Sequence, residues 1–208
     1  MAWTAPATAT TGQTVTAAFW NAQIRDNFLE TSAATVTTAG DLVYADAANS
    51  MGSRLAIGAA TTHLVSDGSA PVWRAVATDV DTGTDTGAST SYVTLAAAAP
   101  SDWAFATEIE VTVTTGTVAL VLLKAQLSNN TGGSGTFLSY SVSSATTVAA
   151  SDNHSIFYES SNANDSAEFG GFDLRTGLTA GSNVFTLEGR VNGNTGTIQR
   201  PEIAVIAF

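Results

Sequence analysis

The 208-residue chain has no cysteine, so neither disulfides nor thiolate metal sites contribute to its fold. Lysine occurs once, at Lys124, and charged residues make up only 12% of the chain, against about 25% in ordinary domains. Thr, Ser, Ala and Gly take the surface positions that Lys and Glu usually fill. Such a composition argues against helical bundles and suits extended β-structure with a neutral, hydroxylated surface. Seven basic residues face eighteen acidic ones, a formal charge of −11. The basic residues, Arg25, Arg54, Arg74, Lys124, Arg175, Arg190 and Arg200, are scattered singly. Nucleic acid needs clustered cations and is not an expected partner. No run approaches the length of a membrane span, and the opening MAWTAPATATTGQ lacks the basic and apolar regions of a secretory leader. The expectation is synthesis and folding in the cytoplasm, without membrane insertion.

What is present is mostly strand-like. Segments 91–97, 105–114, 117–128, 136–142, 154–159, 168–175, 183–191 and 197–208 carry β-branched and aromatic residues, and loops such as NNTGGSG, SSNANDS and TAGSN separate the later ones. Eight short strands with turn signals predict a two-sheet antiparallel sandwich of jelly-roll type over 79–208. One segment reads as a helix, 17–30, with Thr16 as N-cap and Trp20, Ile24 and Phe28 in one apolar stripe at i, i+4 and i+8. So short a helix must dock on something. It falls in an attachment segment over 1–33, and the aperiodic stretch 34–78 reads as a stalk or collar of brief strands and turns.

Two strands read as apolar on both faces. VALVLL, 118–123, is an unbroken apolar run. In the last strand Ile198, Ile206 and Phe208 fall on one parity and Ile203 and Val205 on the other, with Pro201 marking a bulge or edge position able to shift the count by one. A second covering surface is needed, and another copy of the chain is the simplest candidate. Ile203, Val205 and Phe208, with Trp20, Ile24 and Phe28, are therefore the expected attachment and oligomer residues.

Catalytic and metal readings are weak. Asp152, His154 and Ser155 contain the residue types of a hydrolase triad, but neighbours on one strand point to opposite faces. His63 has no ligand partner at metal spacing. Asp79, Asp81 and Asp85 resemble part of a calcium loop, without the alternate oxygen ligands and closing Glu such a loop needs. Asp165, Glu168 and Asp173 could supply a glycosidase pair, yet nothing fixes their separation. No cofactor, no metal and no enzymatic activity are expected. Candidate glycan contacts are Asn129, Asn130, Asn162 and Asn164 in polar loops, with Tyr140 and Tyr158 as stacking surfaces nearby.

The motifs WTAP, TAAFWNAQIRDNF and TTAGDLVYADAANSMGSRLAIG, followed by HLVSDGSAPVW, resemble the amino-terminal region of tailed-bacteriophage fibre and appendage proteins. In that family a helix ending in R-D-N precedes a GDLxYAxxxNxxxRLxIG unit. Arg25, Asp26 and Asn27 match the helix motif, and Gly40, Asp41, Tyr44, Asn49, Arg54, Leu55 and Gly58 match the unit. The closing FTLEGRVNGNTGTIQRPEIAVIAF is similar to the last hairpin of trimeric fibre heads with a TNF-like or jelly-roll sandwich. The resemblance implies a homotrimeric virion protein, bound to a capsid or tail protein through its amino terminus, with the head outward; contact of that head with host-surface glycan is the leading expectation for its role. A single unit and no heptad or collagen-like shaft imply a short appendage. The competing readings are a capsid decoration protein without receptor role and, further off, a polysaccharide depolymerase.

Overall fold

The computed structural model describes residues 11–12, 14, 16–21, 36–47, 53–96 and 103–208. Ile24, Arg25, Asp26, Asn27 and Phe28 lie outside the described residues, as does most of the expected 17–30 helix. Its described part is α1 (Ala17–Trp20), where the Trp20 N–H donates to the Thr16 carbonyl at 2.9 Å. The chain divides into two compact units, Met1–Ala60 with Ser66–Trp73, and Thr61–Val65 with Arg74–Phe208.

In the first unit β1 (Leu42–Tyr44) and β2 (Ser53–Leu55) pair antiparallel, Leu42 opposite Leu55 and Val43 opposite Arg54. Asp41 organises the unit. Its carboxylate accepts the N–H groups of Thr37, Thr38 and Ile57 and pairs with Arg54 at 3.0 Å. Burial pushes its pKa up, but these donors outweigh burial and leave it below the usual carboxylate value. Gly40, at φ +92°, lies so close to Ile57 that a Cβ would meet its side chain at 2.6 Å. The G-D of the unit and its Arg are thus a backbone-binding knot.

The second unit is an antiparallel sandwich. The further strands are β3 (Thr62–Ser66), β4 (Pro71–Val80), β5 (Thr84–Gly87), β6 (Val93–Thr94), β7 (Glu110–Thr115), β8 (Val118–Asn129), β9 (Gly135–Ser144), β10 (Ile156–Glu159), β11 (Ser166–Thr176), β12 (Gly181–Val191) and β13 (Gly196–Ala207), of which Ser66 and Pro71–Trp73 fall in the first unit. One sheet runs β10-β9-β12-β6, with β7 also on β12; the other runs β11-β8-β13-β4-β3, with β5 also on β13. Period-2 alternation decides which side chains meet between them. Val121, Leu123, Leu127, Ile203 and Val205 come from one sheet and Leu138, Tyr140, Phe185, Leu187 and Val191 from the other, all in one core.

The sandwich takes in more of the chain than 79–208, because β3 and β4 extend the six-stranded sheet. β4 shows no clean alternation in its sequence, and its order comes from pairing Val76–Val80 with Glu202–Ile206. The expected strand at 91–97 is only Val93–Thr94, and His154 belongs to a 3-10 turn, Asp152–His154, ahead of β10.

The bulge in β13 corrects the count of its faces. Gln199 pairs with Gln126 and Glu202 with Lys124, so Arg200 and Pro201 together oppose one residue. At the same point β13 exchanges its other partner, β5, for β4. Ile198 therefore shares the inward face with Ile203, Val205 and Ala207, all fully buried inside this chain. Ile203 and Val205 are core residues, not residues of an intersubunit face. The outward face carries Ala204 and Ile206, and Phe208 beyond them is partly exposed against His63.

Candidate functional site

Three loops interlock at one end of the sandwich. The Asn129 Nδ2 donates to the Gly193 carbonyl at 3.1 Å, the Asn164 N–H to the Asn129 carbonyl at 2.8 Å, and the Gly133 N–H to the Ser160 carbonyl at 2.8 Å. Asn130 Oδ1 accepts from Thr131 and Thr195. The two loops expected to carry glycan contacts do converge, together with 192–195. Their asparagines are not equivalent, however. Asn129 is fully buried and ties the loops together, whereas Asn130, Asn162 and Asn164 are exposed. The Tyr158 hydroxyl donates to Asp165 at 2.7 Å, and that bond raises its pKa.

Tyr140 is not a surface residue. It shares parity with Leu138 and Val142 on β9 and is fully buried, its hydroxyl donating to Asp173 and accepting from Arg175 Nε at 2.8 Å. Arg175 and Asp173 also pair with each other at 2.7 Å. Burial and the Asp173 bond push the phenol pKa well up. His154 packs tilted against the same ring at 4.7 Å and its Nε2 meets the Tyr140 carbonyl at 3.1 Å; burial, then the Arg175 charge, hold its pKa below the ordinary value. This network closes the gap between β9 and β11.

The acidic groupings separate. Asp79 accepts the N–H groups of Val80 and Glu110, Asp81 that of Gly83, and Asp85 that of Thr86. Asp165, Glu168 and Asp173 have three different partners, Tyr158, Lys124 and Tyr140. Among the described residues no three His, Asp or Glu side chains are placed to hold a metal ion.

Two outward surfaces complete what the sequence signals only in part or not at all. On the six-stranded sheet the register lines up Leu174, Leu120 and Ile206 in one transverse row and Phe172, Leu122 and Ala204 in the next. Phe172 is 79% exposed, Leu174 57% and Leu122 38%. A groove of about 400 Å³ runs along the second row, flanked by Lys124 and Glu202. The VALVLL run signalled half of this face; β11 did not, because Gly170 and Gly171 interrupt its pattern.

On the five-stranded sheet Phe157 of β10, Phe137 of β9 and Arg190 of β12 stand opposite one another. The phenyl rings stack at 5.2 Å and 15°, and the guanidinium lies 3.9 Å over Phe137 and 5.4 Å from Tyr92. Asp152 closes the row, accepting two bonds from Arg190 and one from Tyr92 at 2.9 Å. The Arg190 bond, foremost, keeps the Asp152 pKa low, while burial and then Asp152 raise the Tyr92 phenol to about 12. Only the outward parity of the three strands, read together with their pairing, could have found this row.

No family model matches the chain. No curated protein matches it. Among solved structures it is similar to the Eiger TNF from S. frugiperda, at 10% identity and a TM-score of 0.40, over 64% of this chain and 92% of that one. The chain itself has a mostly β, antiparallel, sandwich-type fold.

Proposed function

We propose that the chain is the subunit of a homotrimeric virion appendage, a short bacteriophage fibre or spike held by its amino-terminal region, whose head contacts host-surface glycan without cleaving it. The observation that carries self-association is the apolar outer face of the six-stranded sheet. A soluble monomer seldom leaves a contiguous apolar surface in water. Covering Phe172, Leu174 and Leu122 with the same face or an edge of another copy would contribute on the order of 1.5–3 kcal/mol per fully buried side chain. The virion location, the glycan role and the number three follow from the resemblance of the GDLVYADAANSMGSRLAIG unit and the closing hairpin to phage appendages. A capsid decoration protein would use the same fold and the same face, so it is kept as the second reading.

Sedimentation at micromolar concentration tests the assembly. The wild type is expected to be a trimer, and the double variant Phe172→Ser, Leu174→Ser a folded monomer. A wild-type monomer, or a variant that still assembles, would overturn the reading. Antibody against the head, imaged on intact particles, separates tail tip from capsid, and incubation with host polysaccharide followed by chain-length analysis tests the absence of cleavage.

A further inference from the structure

The geometry points to Phe157 and the unpaired edge of β10 as the seat of one neutral hexose residue of a glycan, a site that rests on the proposed glycan-contacting role of the head. Phe157 is 55% exposed although it belongs to a sheet. One face of its ring stacks on Phe137. β10 ends its sheet, and among the described residues its only strand partner is β9, so the outward edge of the strand that carries Phe157 offers main-chain N–H and C=O groups facing no other strand. Glu159 is exposed on the same face of the strand, two residues on.

A sugar ring asks for this combination: a flat aromatic surface for its C–H face, and fixed hydrogen-bonding groups at its rim. The aromatic surface is held in place beforehand. Phe137 is pinned under Arg190, and Arg190 is fixed by Asp152 and Tyr92, so little side-chain freedom remains to be lost on binding. The charges select the kind of sugar. Arg190 is committed to Asp152, and the nearby exposed group is the carboxylate of Glu159, which accepts hydroxyl protons and repels uronate or sialate. A second copy of the chain is a poor occupant. One phenyl ring supplies roughly 150–250 Å², far short of the roughly 800 Å² per partner of a stable protein contact.

Saturation-transfer NMR on the full chain tests the site, with glucan, galactan and mannan hexasaccharides as neutral probes and an oligogalacturonate of the same length as the anionic one. At least one neutral probe is expected to receive saturation at its ring C–H protons, and the oligogalacturonate none. Phe157→Ala should weaken that binding by roughly tenfold, the weight of one aromatic contact, while Phe157→Tyr keeps it. Thermal midpoints of both variants establish that they fold. No transfer to any neutral probe, transfer only to the anionic one, or transfer indifferent to Phe157→Ala would overturn the site. Sedimentation of the same samples keeps the two ideas apart. A trimer that binds no sugar removes the site and leaves the structural role, whereas a monomer that binds sugar through Phe157 removes the assembly and leaves the site.

Discussion

Trp103 fills a slot made by two glycines from opposite sheets. A Cβ on Gly87 would lie 2.5 Å from its ring and one on Gly189 3.0 Å from it, so the indole cannot retreat from one without striking the other. The residue itself sits at φ +64° with its Nε1 buried and unpartnered, a local expense met by the burial of the largest side chain in the core. Gly87→Ala and Gly189→Ala are each expected to destabilise the sandwich by about 1–3 kcal/mol, the range for overpacking a filled core, and urea unfolding followed by circular dichroism measures it. The sequence shows Trp103 and both glycines, but nothing in a strand pattern says that positions so far apart face each other. Tyr140 is the opposite case. The polar loops flanking its strand suggest a surface position, but its parity with Leu138 and Val142 points inward, and alternation decides.

At the scale of an element, β13 turns on a single residue. Arg200 adopts φ +49° and donates its N–H to Gly83, while the Pro201 carbonyl accepts from Asp81, so the strand changes partners without leaving main-chain groups unpaired. Proline made the bulge foreseeable. Whether one or two residues oppose Ala125 was not, and that count decides whether Ile198 sides with Ile203 or with Ile206. Arg200→Val should cost about 1–2 kcal/mol, since a β-branched residue resists the left-handed region. Arg200→Gly should change stability by less than about 1 kcal/mol, because glycine accepts the angle and the lost contacts to Gln126 and Glu168 are exposed ones. Equilibrium denaturation of the pair provides the comparison, and equal losses would remove the bulge conformation as the cause.

For the whole molecule, the sandwich was legible because eight short strand-like segments with polar turns leave few other architectures. Its extent was not, since β4 and β5 owe their order to pairing with β13, and β3 to pairing with β4. The candidate sites were legible only in part. Loop composition singles out two polar loops, and that they meet each other and the 192–195 turn depends on tertiary pairing, as do the aromatic row and the apolar face. Every core residue of the second unit lies after residue 74. A fragment comprising 61–208 is therefore expected to fold by itself and to keep the thermal transition of the head in the full chain, as calorimetry of both would record; a fragment without a cooperative transition would mean that the sandwich is not self-sufficient.

The single lysine borders the open face. Lys124 flanks the groove beside Leu122 and Phe172 and pairs with Glu168 at 3.0 Å. Acylation there abolishes the positive charge and adds bulk at the point where another subunit would press. For most proteins amine-directed labels and surface couplings scatter over many harmless positions. In this chain the only side-chain amine borders the face proposed for self-association, so such reagents are expected to weaken assembly, and dyes or supports for this protein are better attached through its carboxylates.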